Sequence, residues 1–188
     1  MLQAILLDRD GVINRERVDY VKCWEEMEIL PGALAALRLL AGLSIPICVL
    51  TNQSAIGRRI VSAQTVHELH TRLAALVAAH GGRLDAFFVC PHRPDEGCTC
   101  RKPKPGLLLQ AAQRFGLDLT RCVFVGDSDT DRMAAMAVGC PSILVQTGRR
   151  GVALPHLPDD AADVSIVTDL TVAAEDILRN YDYRHQTC

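Results

Sequence analysis

A chain of 188 residues with 49% hydrophobic side chains is long enough to bury a core without covalent staples, and only 4% aromatics makes that core one of Leu, Val, Ile and Ala. The formal charge of −2 gives no reason to expect nucleic acid or an anionic membrane as partner. The opening MLQAILLDRDG has an acid at position 8, no basic leader and no apolar run of ~18 residues, so a cytoplasmic protein without signal peptide or membrane span is expected.

Short β-branched runs alternate with Ala- and Leu-rich segments. AILLD (4–8) reads as a strand ending at an acid, and PGALAALRLLAG (31–42) as a helix with proline at its first position and a glycine stop. IPICVLTN (45–52) is a buried-type strand. Residues 62–82 form a helix with Ser62 as N-cap and Val66, Leu69, Leu73, Leu76 and Val77 at helical spacing. LDAFFVC (84–90) is a strand, PGLLLQAAQRFG (105–116) a helix, RCVFVGD (121–127) a strand and TDRMAAMAVG (130–139) a helix. PSILVQT (141–147) and VSIVTD (164–169) add two strands, and 169–179 a closing helix.

Strands apolar throughout and separated by helices predict an α/β fold. The form expected is a single domain over 1–188 built on an open, doubly wound parallel sheet covered on both faces. Ligands of such sheets sit beyond the carboxyl ends of the strands. The polar residues gather at those ends: Asp8, Thr51 and Asn52, Cys90, and Asp127.

Asp8 and Asp10 are spaced by one residue, which in extended chain projects both to one side, where two like charges need a cation or a proton between them. A lone DxD is more often a pair of solvated turn acids. Asp127 alone fits a turn or helix cap about as well as a metal ligand. DxD, TN, a lysine and GDxxxD in that order on successive strands are far more specific, and an all-oxygen cluster suits Mg²⁺. Asp131 reads as a hydrogen-bonding brace at a helix start and Asp129 as solvated.

Of eight cysteines, Cys48, Cys122 and Cys140 lie in or beside apolar runs and read as small buried hydrophobes. Cys23 and Cys188 carry no pattern. Cys90, His92, Cys98 and Cys100 cluster as C-x-H-x5-C-x-C, three thiolates and an imidazole that match a closed structural Zn²⁺ site; a redox pair or surface thiols are the alternatives. The loop (90–105) ends at Arg101 and Lys102, so zinc ligation with Pro103 and Pro105 would restrain the backbone that carries the lysine. Arg101 is expected to face substrate and Lys104 is not.

The motifs DRDGVIN, TNQS, CPH…CTCRKPKPG and VGDSDTD resemble the haloacid dehalogenase-like phosphohydrolases over essentially the whole chain. Within them they look like the histidinol-phosphate and heptose-bisphosphate phosphatase group. The resemblance implies that Asp8 is a nucleophile forming an aspartyl-phosphate and that Asp10 is the general acid/base, ligating Mg²⁺ through its main-chain carbonyl. Thr51 and Asn52 would hold the phosphoryl group, Lys102 neutralise it and Asp127 complete the Mg²⁺ site, while the cysteine loop would bind zinc. About twenty residues separate Asp10 from Pro31 and only the zinc loop separates Cys90 from Pro105, so no cap domain is expected. Loops 14–22 and 53–59 become the walls, with Asn14, Gln53 and Ser54 as possible substrate contacts and Arg58 and Arg59 equally readable as surface charges. The expected activity is removal of the 7-phosphate from D-glycero-D-manno-heptose 1,7-bisphosphate by a monomer acting on this small sugar phosphate. Histidinol phosphate is the alternative substrate, and a zinc-braced binding module without turnover the alternative class. One departure from the heptose branch is Ser128, where lysine typically stands.

Overall fold

In the computed structural model, which describes residues 1–148 and 164–185, the apolar runs become six parallel strands. These are β1 (Ala4–Leu7), β2 (Ile47–Asn52), β3 (Ala86–Cys90), β4 (Cys122–Gly126), β5 (Ser142–Val145) and β6 (Val164–Val167), in spatial order β3-β2-β1-β4-β5-β6. The helices are α1 (Ala33–Leu40), α2 (Ser54–Gly57), α3 (Ala63–Ala79), α4 (Gly106–Phe115), α5 (Asp129–Met136) and α6 (Leu170–His185). No helix among the described residues is long and apolar enough to cross a membrane.

Alternate strand residues face two separate cores. Ile5, Leu7, Val49 and Val125 pack with Leu37 and Leu40 of α1, Leu73 and Val77 of α3, and Ala173 and Ile177 of α6. Ala4, Leu6, Leu50 and Phe124 pack with Leu107 and Ala111 of α4 and Ala134 and Ala135 of α5. Two covered faces are why these strands show no polar alternation. Cys48, Cys122 and Cys140 are buried in the second core as reduced residues.

The chain steps from β1 to β2 along one side of the sheet and returns from β3 to β4 on the other side of β1. The strand order reverses between β1 and β4, so their carboxyl ends border a crevice. Parallel register pairs Leu7 with Val125, which puts Asp8 beside the end of β4, and the Asp8 amide donates to the Val125 carbonyl at 2.8 Å. Between β1 and α1 the chain makes one short 3-10 turn, Trp24–Glu26, and between β3 and α4 another, Pro94–Glu96.

Local details differ from the sequence expectation at helix ends. Pro31 is not the first helical residue of α1: Gly32, at φ 78°, is the N-cap, and the helix begins at Ala33. Ser62 caps α3 as expected, accepting from the Thr65 amide at 2.9 Å. The single-turn α2 has no apolar period to announce it.

Candidate active site

Lys102 anchors the site. Its side chain is 1% exposed, and its ammonium lies 2.9 Å from Asp8 Oδ1, 2.6 Å from Asp131 Oδ1 and 2.9 Å from the Leu50 carbonyl. The ammonium donates to the Leu50 carbonyl and sits in ion-pair contact with both carboxylates. Burial alone would lower the Lys102 pKa, but Asp131 and Asp8 outweigh it and keep the amine protonated. The backbone beneath it is bracketed by Asn52, whose Nδ2 donates to the Lys102 carbonyl and whose Oδ1 accepts from the Lys102 amide, both at 3.1 Å. Asn52 thus positions the lysine from the end of β2.

Asp131 is the brace expected at the start of α5. Its Oδ2 accepts from the Asp127 amide, the Ser128 amide and the Ser128 hydroxyl, the last at 2.6 Å. Ser128 therefore serves as the cap of α5 and a donor to Asp131. The close approaches fix two glycines. A Cβ on Gly126 would lie 2.3 Å from the Asp131 Cβ, and one on Gly11 (φ +85°) would lie 2.2 Å from Asp127 Oδ2.

Asp8, Asp127 and Asp131 each offer a carboxylate oxygen within 4.8 Å of the others. Burial, opposed by Lys102 and reinforced by Asp131 and Asp10, pushes Asp8 up to about 7. Burial with the charges of Asp8, Asp131 and Glu16 pushes Asp127 up to about 9. Asp131 moves down instead, because Lys102 outweighs its burial. When all three buried carboxylates are ionised, one ammonium leaves two negative charges unmatched, so without a cation Asp8 and Asp127 keep their protons to higher pH, and the donors are all oxygen. The set fits a divalent hard cation such as Mg²⁺.

A pH dependence follows. With raised native pKa values, Asp8 and Asp127 stabilise the fold below the ordinary carboxylate range, and that stability is lost as pH rises through about 7 and about 9. In protein dialysed free of magnesium, Tm should fall from about pH 5 to about pH 9, and added Mg²⁺ should restore more at the alkaline end. Asp127→Asn should raise the magnesium-free Tm at alkaline pH and abolish the magnesium response. A flat Tm profile would remove these carboxylates as the source.

Asp10 is held differently. Its carboxylate accepts from Arg9 Nη2 at 2.7 and 2.8 Å, from Asn14 Nδ2 at 2.9 Å and from Gln53 Nε2 at 2.8 Å. Burial would raise its pKa, but the Arg9 guanidinium and these amides hold it below its ordinary value. Asn14, expected at the ligand, is fully buried and gives its amide to Asp10 and the Arg15 carbonyl. Gln53 also donates to Thr51 Oγ1 at 2.8 Å, which leaves the Thr51 hydroxyl proton for another acceptor. Arg9, which no motif in the sequence singles out, is the side chain that holds Asp10 from behind.

In the cysteine loop, Cys90 Sγ lies 3.6 Å from His92 Nδ1 and 3.7 Å from Cys98 Sγ; Cys100 Sγ lies 3.3 and 3.7 Å from the same two atoms. Ligands around a tetrahedral zinc with bonds of about 2.3 Å to sulfur sit about 3.8 Å apart, so the four atoms already outline a cage of that size. All four corners are protein, leaving no position for a reactive water. Lys104 supports the loop by donating to the Gly97 and Cys98 carbonyls at 3.0 and 2.8 Å. On the zinc expectation, Cys98→Ser should leave the purified protein without zinc and cost about tenfold or more in kcat/KM through a displaced Lys102. Metal analysis with kinetics checks this; full activity without the metal would show that Asn52 alone suffices.

A cavity of about 340 Å³ opens over these groups, bordered by Asp8, Asp10, Thr51, Lys102 and Asp127. Asn52, Gln53, Ser54 and Arg101 also line it, as do Arg58 and Tyr20 from the two expected walls. The structure thus brings together every predicted site residue except Asn14, which stands behind Asp10, and the cysteine cluster, which adjoins the cavity through Arg101 and Lys102.

A carboxylate pair, a threonine, a buried lysine and a third acid at the switch point of such a sheet define a haloacid dehalogenase-like hydrolase. Residues 99–173 match the family model described as HAD-hydrolase-like. The chain is 44% identical over 145 residues to the D-glycero-beta-D-manno-heptose-1,7-bisphosphate 7-phosphatase of Pseudomonas aeruginosa, covering 77% of this chain and 82% of that one. Identity to the Bordetella bronchiseptica protein of the same name is 39% over 180 residues, 95% of this chain and 99% of the relative. The crystal structure of the B. bronchiseptica D,D-heptose 1,7-bisphosphate phosphatase complexed with magnesium and phosphate superposes with a TM-score of 0.88, covering 95% of this chain and 99% of that one. The chain belongs to the heptose bisphosphate phosphatase group of the HAD-like hydrolases.

Proposed function

We propose that the chain is a magnesium-dependent phosphomonoester hydrolase, braced by a structural zinc. It acts through an aspartyl-phosphate on Asp8 and removes the 7-phosphate of D-glycero-D-manno-heptose 1,7-bisphosphate. The observation that carries the reading is the Lys102 ammonium fixed against both Asp8 and Asp131 at the cavity floor. The names and coverage of the relatives support the substrate.

Asp8 Oδ1 accepts from Lys102 and, at 2.7 Å, from the Arg9 amide, which leaves Oδ2 without a hydrogen-bond partner among the described residues. This carboxylate forms the new bond to phosphorus as the bond to the sugar oxygen breaks. Lys102 offsets charge on the transferring oxygens, and the Thr51 hydroxyl donates to one of them. Asp10, which Arg9 holds ionised in the free site, takes up a proton as the negative charge of the substrate arrives beside it and gives that proton to the departing alkoxide. Water then attacks the aspartyl-phosphate, Asp10 takes the proton back, and inorganic phosphate leaves. Asp8, Asp127 and the Asp10 carbonyl would hold Mg²⁺, which when bound supplies the positive charge that lets a carboxylate approach a phosphate dianion. Cys90, His92, Cys98 and Cys100 would hold Zn²⁺.

The test compares kcat/KM for both anomers of the heptose bisphosphate with histidinol phosphate. Heptose bisphosphate should exceed histidinol phosphate by about tenfold or more. Equal or better use of histidinol phosphate would overturn the substrate, and no phosphate release from any of them would overturn the enzyme reading in favour of a binding module.

A further inference from the structure

Arg9 is 1% exposed and has a neighbour that the proposed reaction does not use. Its Nη1 lies 3.1 Å from His70 Nε2, a contact across 61 residues of sequence. A guanidinium has only donors, so this is a hydrogen bond only when Nε2 carries no proton. The geometry therefore fixes His70 as the neutral tautomer with its proton on Nδ1. The ring is 3% exposed and stacked on Phe87 of β3, with centroids 4.5 Å apart and planes 12° from parallel.

A neutral acceptor suits this position. An apolar residue would strand a buried guanidinium N–H. A carboxylate would divide the charge of Arg9, whose anionic partner among the described residues is Asp10. An imidazole satisfies the donor and leaves that charge for Asp10. We propose that His70 is a positioning residue: held by Phe87, it orients Arg9, which in turn sets the angle at which the Asp10 carboxyl meets the leaving group. The inference rests on the phosphatase reading above.

The experiment uses the full chain loaded with both metals. His70→Phe keeps an aromatic ring against Phe87 and removes the acceptor; His70→Leu removes both; His70→Gln returns an acceptor oxygen. Each is assayed with an alkyl sugar phosphate and with p-nitrophenyl phosphate, whose leaving group needs little help from an acid. The His70→Phe variant should lose about tenfold to a hundredfold in kcat/KM on the alkyl ester with KM little changed, about threefold or less on the aryl ester, and His70→Gln should recover most of the loss. Should His70→Phe fail to fold, His70→Leu carries the same comparison. Equal losses on both esters, no loss at all, or no recovery with His70→Gln would overturn the proposal. A wild-type chain inactive on both esters would instead sink the phosphatase reading, so the two failures are distinct.

Discussion

Asp8→Asn is expected to abolish phosphate release while leaving the protein folded. The amide has nearly the shape of the carboxylate, and its oxygen can still accept from the Arg9 amide and Lys102. What disappears is the negative oxygen that, in the proposed reaction, bonds to phosphorus. Loss of a covalent nucleophile should lower kcat by about 10⁴-fold or more, with no phosphorylated enzyme trapped by acid quench. The same change removes one of the crowded charges that push Asp127 upward, so the magnesium-free Tm should hold or rise. Near wild-type turnover by this variant would refute the nucleophile assignment. A collapse of Tm would instead show that Asp8 is chiefly structural.

Much of the fold was legible because its signals are local. Strands buried on both faces read as continuous apolar runs, and the cap and spacing of α3 are written within one segment. The boundaries were less so. The entry to α1 depends on Gly32 taking a left-handed conformation, which competes with the preference of proline for a first helical position. Of the site, the residues at strand tips were readable because topology alone brings those tips together, and the cysteine cluster because its ligands are close in sequence.

What sequence could not supply is the direction of side chains in the irregular turn after β1. Asn14 and Arg9 are both polar residues in that turn, yet both point inward to Asp10. The sequence places Asn14 among the substrate contacts and assigns nothing to Arg9. One signal for the second was present: His70 falls among Val66, Leu69, Leu73 and Val77 on the buried stripe of α3, where a polar ring needs a polar partner. Nothing in the sequence names Arg9 as that partner, since the pairing comes from packing α3 beneath the end of β1.

Lys102→Met separates structure from chemistry at the other end of the site. Methionine has similar length and no charge, so the change leaves Asp8, Asp131 and the Leu50 carbonyl without their shared donor. Stranding buried carboxylates should cost about 3–5 kcal/mol near neutral pH. Without the ammonium these acids are neutralised by protons, so the deficit should shrink toward about pH 5 and grow toward about pH 8. Loss of a charge aimed at the transferring phosphoryl group should lower kcat/KM by about 10²–10³-fold or more. Adding Asp131→Asn removes the other member of the 2.6 Å pair and should recover part of the stability with none of the activity. Lys102→Arg keeps the charge but not the three contacts between 2.6 and 2.9 Å, and should stay far below wild type. Urea denaturation and initial rates on the same preparations decide the matter: activity that returns with stability in the double variant would reduce Lys102 to a structural counter-ion, whereas stability returning alone supports it as the charge that offsets the transferring phosphoryl oxygens.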